Sequence, residues 1–144
     1  MPEKQPSKPL HESVTLRNDP DEIRDAENKL LRAVERMGYS SASAFAVRLA
    51  LEEAVVNGFK HGNRNRPGST VKLEWSVDPD RIRILVEDQG IGFEPDQVPD
   101  PREPENLERP SGRGIMLMRA YMTRVEYSKS GNRVEMIYER PSSD

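Results

Sequence analysis

Two alternating runs, TVKLEWSV over Thr70–Val77 and RIRILVED over Arg81–Asp88, stand three residues apart and are joined by Asp78-Pro79-Asp80. Successive side chains of a strand point to opposite faces, so each run can bury one face and wet the other. The short turn-forming link folds the second run back on the first as an antiparallel hairpin. Val71, Leu73, Trp75 and Val77 share one face of its first strand. The middle of the chain is thereby committed to sheet, and the remaining segments must supply the layer that covers it.

On the N-terminal side, residues 1–12 are polar and proline-rich and read as a loose tail, with a single domain over 13–144. SVTLRN alternates and reads as a first strand. Asp19-Pro20-Asp21-Glu22 supplies an N-cap, a proline at the first helical position and an acid at N3. Ile23, Ala26, Leu30, Val34 and Met37 then recur at steps of three and four, and Gly38 ends that helix. A second helix is expected from Ser41 or Ser43, with Val47, Ala50, Leu51, Ala54 and Val55 on its apolar stripe and a stop at His61-Gly62. Glu53, Asn57 and His61 fall on a different stripe, at steps of four.

Beyond the hairpin, the run EPDQVPDPREPENLERP holds five prolines and almost no apolar residues. A loop of that length inside a domain is usually a lid or binding loop, placed here at about 94–113. GIMLMRAYM predicts a third helix. RVEYSKSGNRVEMIYER predicts a closing hairpin with Ser130-Gly131-Asn132 in its turn. Strand, two helices, two strands, lid, helix, two strands is not a βαβ alternation. The expected class is α+β, a two-layer sandwich of a mixed or antiparallel sheet covered by helices.

Composition removes whole classes of chemistry. The 144 residues include no cysteine and two histidines, which excludes disulfides, thiolate metal sites and thiol nucleophiles. A net charge of −3 and a pI near 5.5 give no basic footprint for nucleic acid or anionic membrane. No apolar run approaches the roughly 18 residues that would span a bilayer. The first residues carry no apolar core of a secretory signal. A cytoplasmic location is expected.

Three stretches carry the chemistry. LEEAVVNGFKHGN places a carboxylate pair and then, four residues after Glu53, an Asn followed by Gly58, where a helix gains least from them. VEDQGIGF ends a strand in Asp88 and runs into Gly90 and Gly92. No helix follows directly, so a dinucleotide-binding loop fits poorly. SGRGIMLM puts Gly112 and Gly114 at a helix start, where free N–H groups and the helix dipole favour an anion. Each has a plain alternative: solvated helix charges, an acidic turn, a capping loop. In this order they resemble the GHKL ATPase superfamily from about Ala46 onward. The wording EEAVVNGFKHGN, DQGIGF and SGRGIMLMRAYMTRVEY is similar to bacterial anti-sigma-factor serine kinases.

That resemblance implies a Bergerat-type ATP-binding fold, ATP and Mg²⁺ as cofactors, and a serine on an anti-anti-sigma antagonist as the phosphoacceptor. Partners would be that antagonist and a sigma factor, in a homodimer, without direct contact to nucleic acid or membrane. It implies Glu53 as general base, Asn57 as the Mg²⁺ ligand and Asp88 as the reader of adenine. Gly90 and Gly92 would pass close to the base. Gly112 and Gly114 would cradle phosphates, with Arg109, Ser111 and Arg113 placed for phosphate contact. Pro110 separates Arg109 from Ser111, a departure from the family pattern. Glu52 is expected to be solvated, His61 to close the helix, and Lys60 to lie within reach of a phosphate. The competing readings are a non-catalytic ATP-binding partner-switch module, a histidine-kinase-like ATPase domain, and a water-activating ATPase that would bring large transducer domains.

Overall fold

The structure is a computed structural model that describes residues 8–90 and 112–144. Five strands form one sheet: β1 Leu10–Arg17, β2 Thr70–Val77, β3 Arg81–Asp88, β4 Arg124–Tyr127 and β5 Arg133–Glu139. Their spatial order is β1-β2-β3-β5-β4 and every pairing is antiparallel. Among the described residues three α-helices cover one face: α1 Pro20–Arg36, α2 Ser41–Asn57 and α3 Gly112–Tyr121. The α+β sandwich expected from the sequence is the observed architecture, and its sheet is purely antiparallel.

The core lies between that sheet face and the helices. Val71, Leu73, Trp75 and Val77 are all buried, as their alternation requires, facing Ile82, Ile84 and Val86 of β3. From the helices come Leu30, Val34, Val47, Ala50, Leu51, Ala54, Val55 and Met118. The Asp78-Pro79-Asp80 turn closes through the Asp78 carboxylate, which accepts from Asp80 N and Arg81 N at 2.8 Å each. Helix α1 starts where its signals stand. Asp19 caps it by accepting from Asp21 N at 2.9 Å, and Glu22 reaches back to Arg17 N and Nε. Gly38 follows with φ of 80°, the left-handed position a helix exit requires.

The N-terminal boundary differs from expectation. β1 begins at Leu10, not at Ser13, because Leu10 pairs with Val77, His11 with Ser76 and Glu12 with Trp75. His11 Nε2 also lies 3.1 Å from Glu74 Oε1 across that pair. Polar residues along an edge strand carry no burial signal, so the cross-strand partner, not the local sequence, sets the start.

Candidate functional site

Helix α2 does not end in an ordinary stop. After Asn57 the backbone widens into a π-turn over Gly58–Gly62, closed by Asn63 N donating to Gly58 O at 2.8 Å. An i→i+5 turn advances less per residue than an α-helix. His61 therefore leaves the stripe shared by Glu53 and Asn57, a correction to the spacing of four read from the sequence. Gly58 lets the turn lie against β2: a Cβ there would stand 3.0 Å from Val71 Cγ2.

The π-turn delivers Gly62 to the end of β3. A Cβ on Gly62 would fall inside the carboxylate of Asp88, and one on Gly90 would overlap the carbonyl of Gly62. The three residues interlock: Asp88 lies over the glycine, and Gly90 N donates back to Asp88 Oδ1 at 2.8 Å. Burial is the main cause that pushes the Asp88 carboxyl up to about 6; Glu87 adds to it, while the Gly90 N–H and Arg66 oppose it. Asp88 also pairs by backbone with Asn132 O at 2.9 Å, which ties it to the β4–β5 turn.

Asn57 shares this cavity with Asp88, Gly58, Gly62 and Tyr127. Its Nδ2 is buried with no acceptor among the described residues. A polar group stripped of water and left unpaired costs about 1–3 kcal/mol, so such an amide is best explained by a ligand that completes it. Tyr127, which the sequence reading did not single out, has its hydroxyl pushed well above the ordinary tyrosine range. Burial is the chief cause, with Asp88 adding and Arg119 opposing. Glu53 lies one helical turn before Asn57 and is half-buried.

The structure thus brings Asn57, Asp88 and Gly90 together, with Glu53 one turn away. Gly112 and Gly114 are in the first turn of α3, which packs along α2. Gly92, Arg109 and Ser111, the whole 91–111 segment and the side chain of Arg113 lie outside the described residues. Lys60 is exposed and His61 half-buried and in contact with neighbours. Glu52 keeps 41% of its side chain exposed, in line with the solvated charge expected of it, and it also meets charged neighbours. Glu27 of α1 faces it, and Arg48 Nε lies 3.0 Å from Glu27 and 3.2 Å from Glu52. Burial, and then the hydrogen bond that the Glu27 carboxyl donates to Glu52, push Glu27 up to about 7. The pair ties α1 to α2 beside Glu53.

Gly62→Ala tests the interlock. The added methyl has no room without moving Asp88, and forced overpacking costs about 1–3 kcal/mol. The expected result is a melting temperature lowered by several degrees together with weakened nucleotide binding. Wild-type values of both would show that Asp88 yields freely.

Comparison with known proteins identifies the family and the fold. Residues 16–138 match the family model of the histidine kinase-like ATPase domain. The chain is 32% identical over 99 residues to an anti-sigma F factor of Clostridium beijerinckii, covering 65% of this chain and 68% of that protein. It is 26% identical over 113 residues to the serine-protein kinase RsbW of Oceanobacillus iheyensis, covering 74% and 72% respectively. The solved RsbU and RsbW domains of a Mycobacterium tuberculosis protein superpose with a TM-score of 0.56 at 18% identity. That match covers 94% of this chain and about a third of the other, 32%, and shows a shared fold.

Proposed function

The chain belongs to the histidine kinase-like ATPase domain family, and we propose that it is an ATP-dependent serine kinase and anti-sigma factor of a partner-switching circuit. Its phosphoacceptor is a serine on an anti-anti-sigma antagonist. The observation that carries the reading is the joint placement of the buried, unpaired Asn57 Nδ2 and the half-buried Asp88 carboxylate on one cavity wall. The names of its relatives, anti-sigma F factor and serine-protein kinase, supply the class of reaction.

Each residue has a physical task. The Asp88 carboxylate accepts from the exocyclic amine of adenine, where guanine would oppose it with a carbonyl; an ionised acceptor makes the stronger bond. Asn57 would offer an amide oxygen to Mg²⁺, a hard ligand that adds no charge, and its NH₂ group would be left for a phosphate oxygen. Bound Mg²⁺ would offset the negative charge of the phosphates. Glu53 accepts the proton of the serine hydroxyl as its oxygen attacks the γ-phosphorus. The bond to the β,γ-bridging oxygen breaks and ADP leaves.

Single-turnover transfer of labelled γ-phosphate to a candidate antagonist tests the assignment. Phosphoserine on the antagonist is the expected product. Tight ATP binding without transfer would favour the non-catalytic module. The names of the relatives, anti-sigma F factor and serine-protein kinase, favour serine over histidine as the phosphoacceptor. None of the helices among the described residues is long and apolar enough to cross a membrane. A homodimer working in the cytoplasm, where ATP and sigma factors are found, completes the proposal.

Asn57→Ala should lower ATP affinity in Mg²⁺ and leave the metal-free affinity nearly unchanged. Loss of one charge-assisted contact is worth about 1.5–3 kcal/mol, or roughly ten- to a hundredfold. Titration calorimetry with Mg²⁺ and with EDTA separates the two. An equal Mg²⁺ gain in variant and parent would remove Asn57 from the metal site.

A further inference from the structure

Asn63 is fully buried in an otherwise polar loop, GNRNRPGS. Its side chain makes two hydrogen bonds in opposite senses. Nδ2 donates to Thr70 O at the start of β2, at 2.9 Å, and Oδ1 accepts from Gln89 N just past β3, at 2.6 Å. Its own N–H closes the π-turn on Gly58 O at 2.8 Å. One residue therefore joins the helix end that carries Asn57 to the strand end that carries Asp88.

The same loop grips Gln89 from outside. Arg66 Nη2 donates to Gln89 O at 3.1 Å and its Nε to Asn63 O at 3.2 Å. Thr70 N donates to the Gln89 side chain at 2.8 Å. Arg64 and Asn65, at φ of 51° and 53°, reverse the chain between Asn63 and Arg66. With Gln89 so held, Gly90 N points at Asp88 Oδ1.

We propose that Asn63 is a positioning residue for nucleotide-base recognition. It fixes Gln89 so that the turn after β3 engages one oxygen of Asp88 and presents the carboxylate to the exocyclic amine of a purine. The inference rests on the reading of Asp88 as the adenine-binding carboxylate. Only an amide meets the demand, because the site needs a donor and an acceptor in one small rigid group. Aspartate would face Thr70 O with a second acceptor, and an aliphatic side chain would leave both backbone groups unpaired.

A merely structural Asn63 would, when lost, weaken every nucleotide alike. A positioning Asn63 acts on the base, so the readout is the ratio of ATP to GTP affinity. Calorimetry with each nucleotide and Mg²⁺ would be run on the parent, Asn63→Ala, Asn63→Asp and Arg66→Ala, with melting temperatures alongside. Asn63→Ala should lose roughly tenfold or more in ATP affinity, the worth of one to two hydrogen bonds, while GTP affinity stays nearly constant. Asn63→Asp sets an acceptor against Thr70 O at a fully buried position and should narrow the ratio at least as much as Asn63→Ala. Arg66 is exposed, so Arg66→Ala should fold even where Asn63→Ala does not. It should narrow the ratio by roughly threefold. A parent that prefers ATP and variants that keep that preference would overturn the role of Asn63 alone. A parent without the preference would overturn the reading of Asp88 itself, and the inference with it.

Discussion

Glu53→Gln should separate binding from chemistry. The substitution is nearly isosteric and sits on a helix whose buried stripe, Ala50, Leu51, Ala54 and Val55, it does not touch. In the proposed reading the base contact belongs to Asp88 and the amide of Asn57 is unchanged, so ATP affinity should hold. What the variant would lose, on the proposed mechanism, is the acceptor for the serine proton. General-base catalysis contributes typically about 10²–10⁴-fold, so the single-turnover rate should fall by that order. The variant should still bind the antagonist and keep it unphosphorylated in the presence of ATP, where the parent releases it after transfer. Both quantities are measurable on the same preparation. An unchanged rate would take Glu53 out of the mechanism. Lost affinity would make it a support of the cation site.

The parts of this site that the sequence displays are those fixed by local rules. Alternation in TVKLEWSV and RIRILVED gives strand, turn and buried face together, because a period of two and a short polar link leave no other arrangement. Asp19-Pro20 and Gly38 bracket α1 because capping is a contact between near neighbours. The Glu53–Asn57 step survives into the structure because it lies inside regular α-helix. Four features escape such rules. β5 inserts between β3 and β4 through pairs such as Val86 with Val134, which no local pattern encodes. The π-turn changes the helical period without a composition signal beyond Gly58 and Gly62. Glu52 meets its partner only because α1 packs beside α2. Asn63 sits among arginines, a proline and glycines and looks like surface; it is buried by hydrogen bonds to backbone groups 7 and 26 residues away. A buried amide that satisfies distant main chain has the same local appearance as a solvated loop residue.

Asp88→Asn should make the nucleotide-free protein more stable at neutral pH while it loses ATP. The two effects have one cause. Folding takes the Asp88 carboxyl into a poorly solvated position and raises its pKa from 3.8 to about 6. An acid whose folded pKa lies above its unfolded value stabilises the fold when protonated. That contribution is complete below the unfolded value and is lost as pH rises through about 6. At pH 7.5 the parent therefore carries an ionised carboxylate that the fold disfavours, and the neutral amide of asparagine removes it. Glu27, raised to about 7, has the same sign. The readout is accordingly the parent-minus-variant difference in melting temperature between pH 5 and pH 7.5, with Glu27 common to both. That difference should favour the variant at pH 7.5 and shrink toward pH 5. ATP binding runs the other way. It needs the ionised acceptor, so parent affinity should rise as pH climbs through 6, and the variant should show neither that rise nor the parent's affinity at pH 7.5. Replacing an ionised acceptor by a neutral one forfeits about 1–1.5 kcal/mol, or roughly five- to tenfold. Should the variant bind ATP like the parent at pH 7.5, Asp88 does not read the base. Should it bind poorly and gain no stability, the carboxylate is better solvated than its setting between Gly62 and Gly90 indicates, and its raised pKa is not a cost of folding that nucleotide binding offsets.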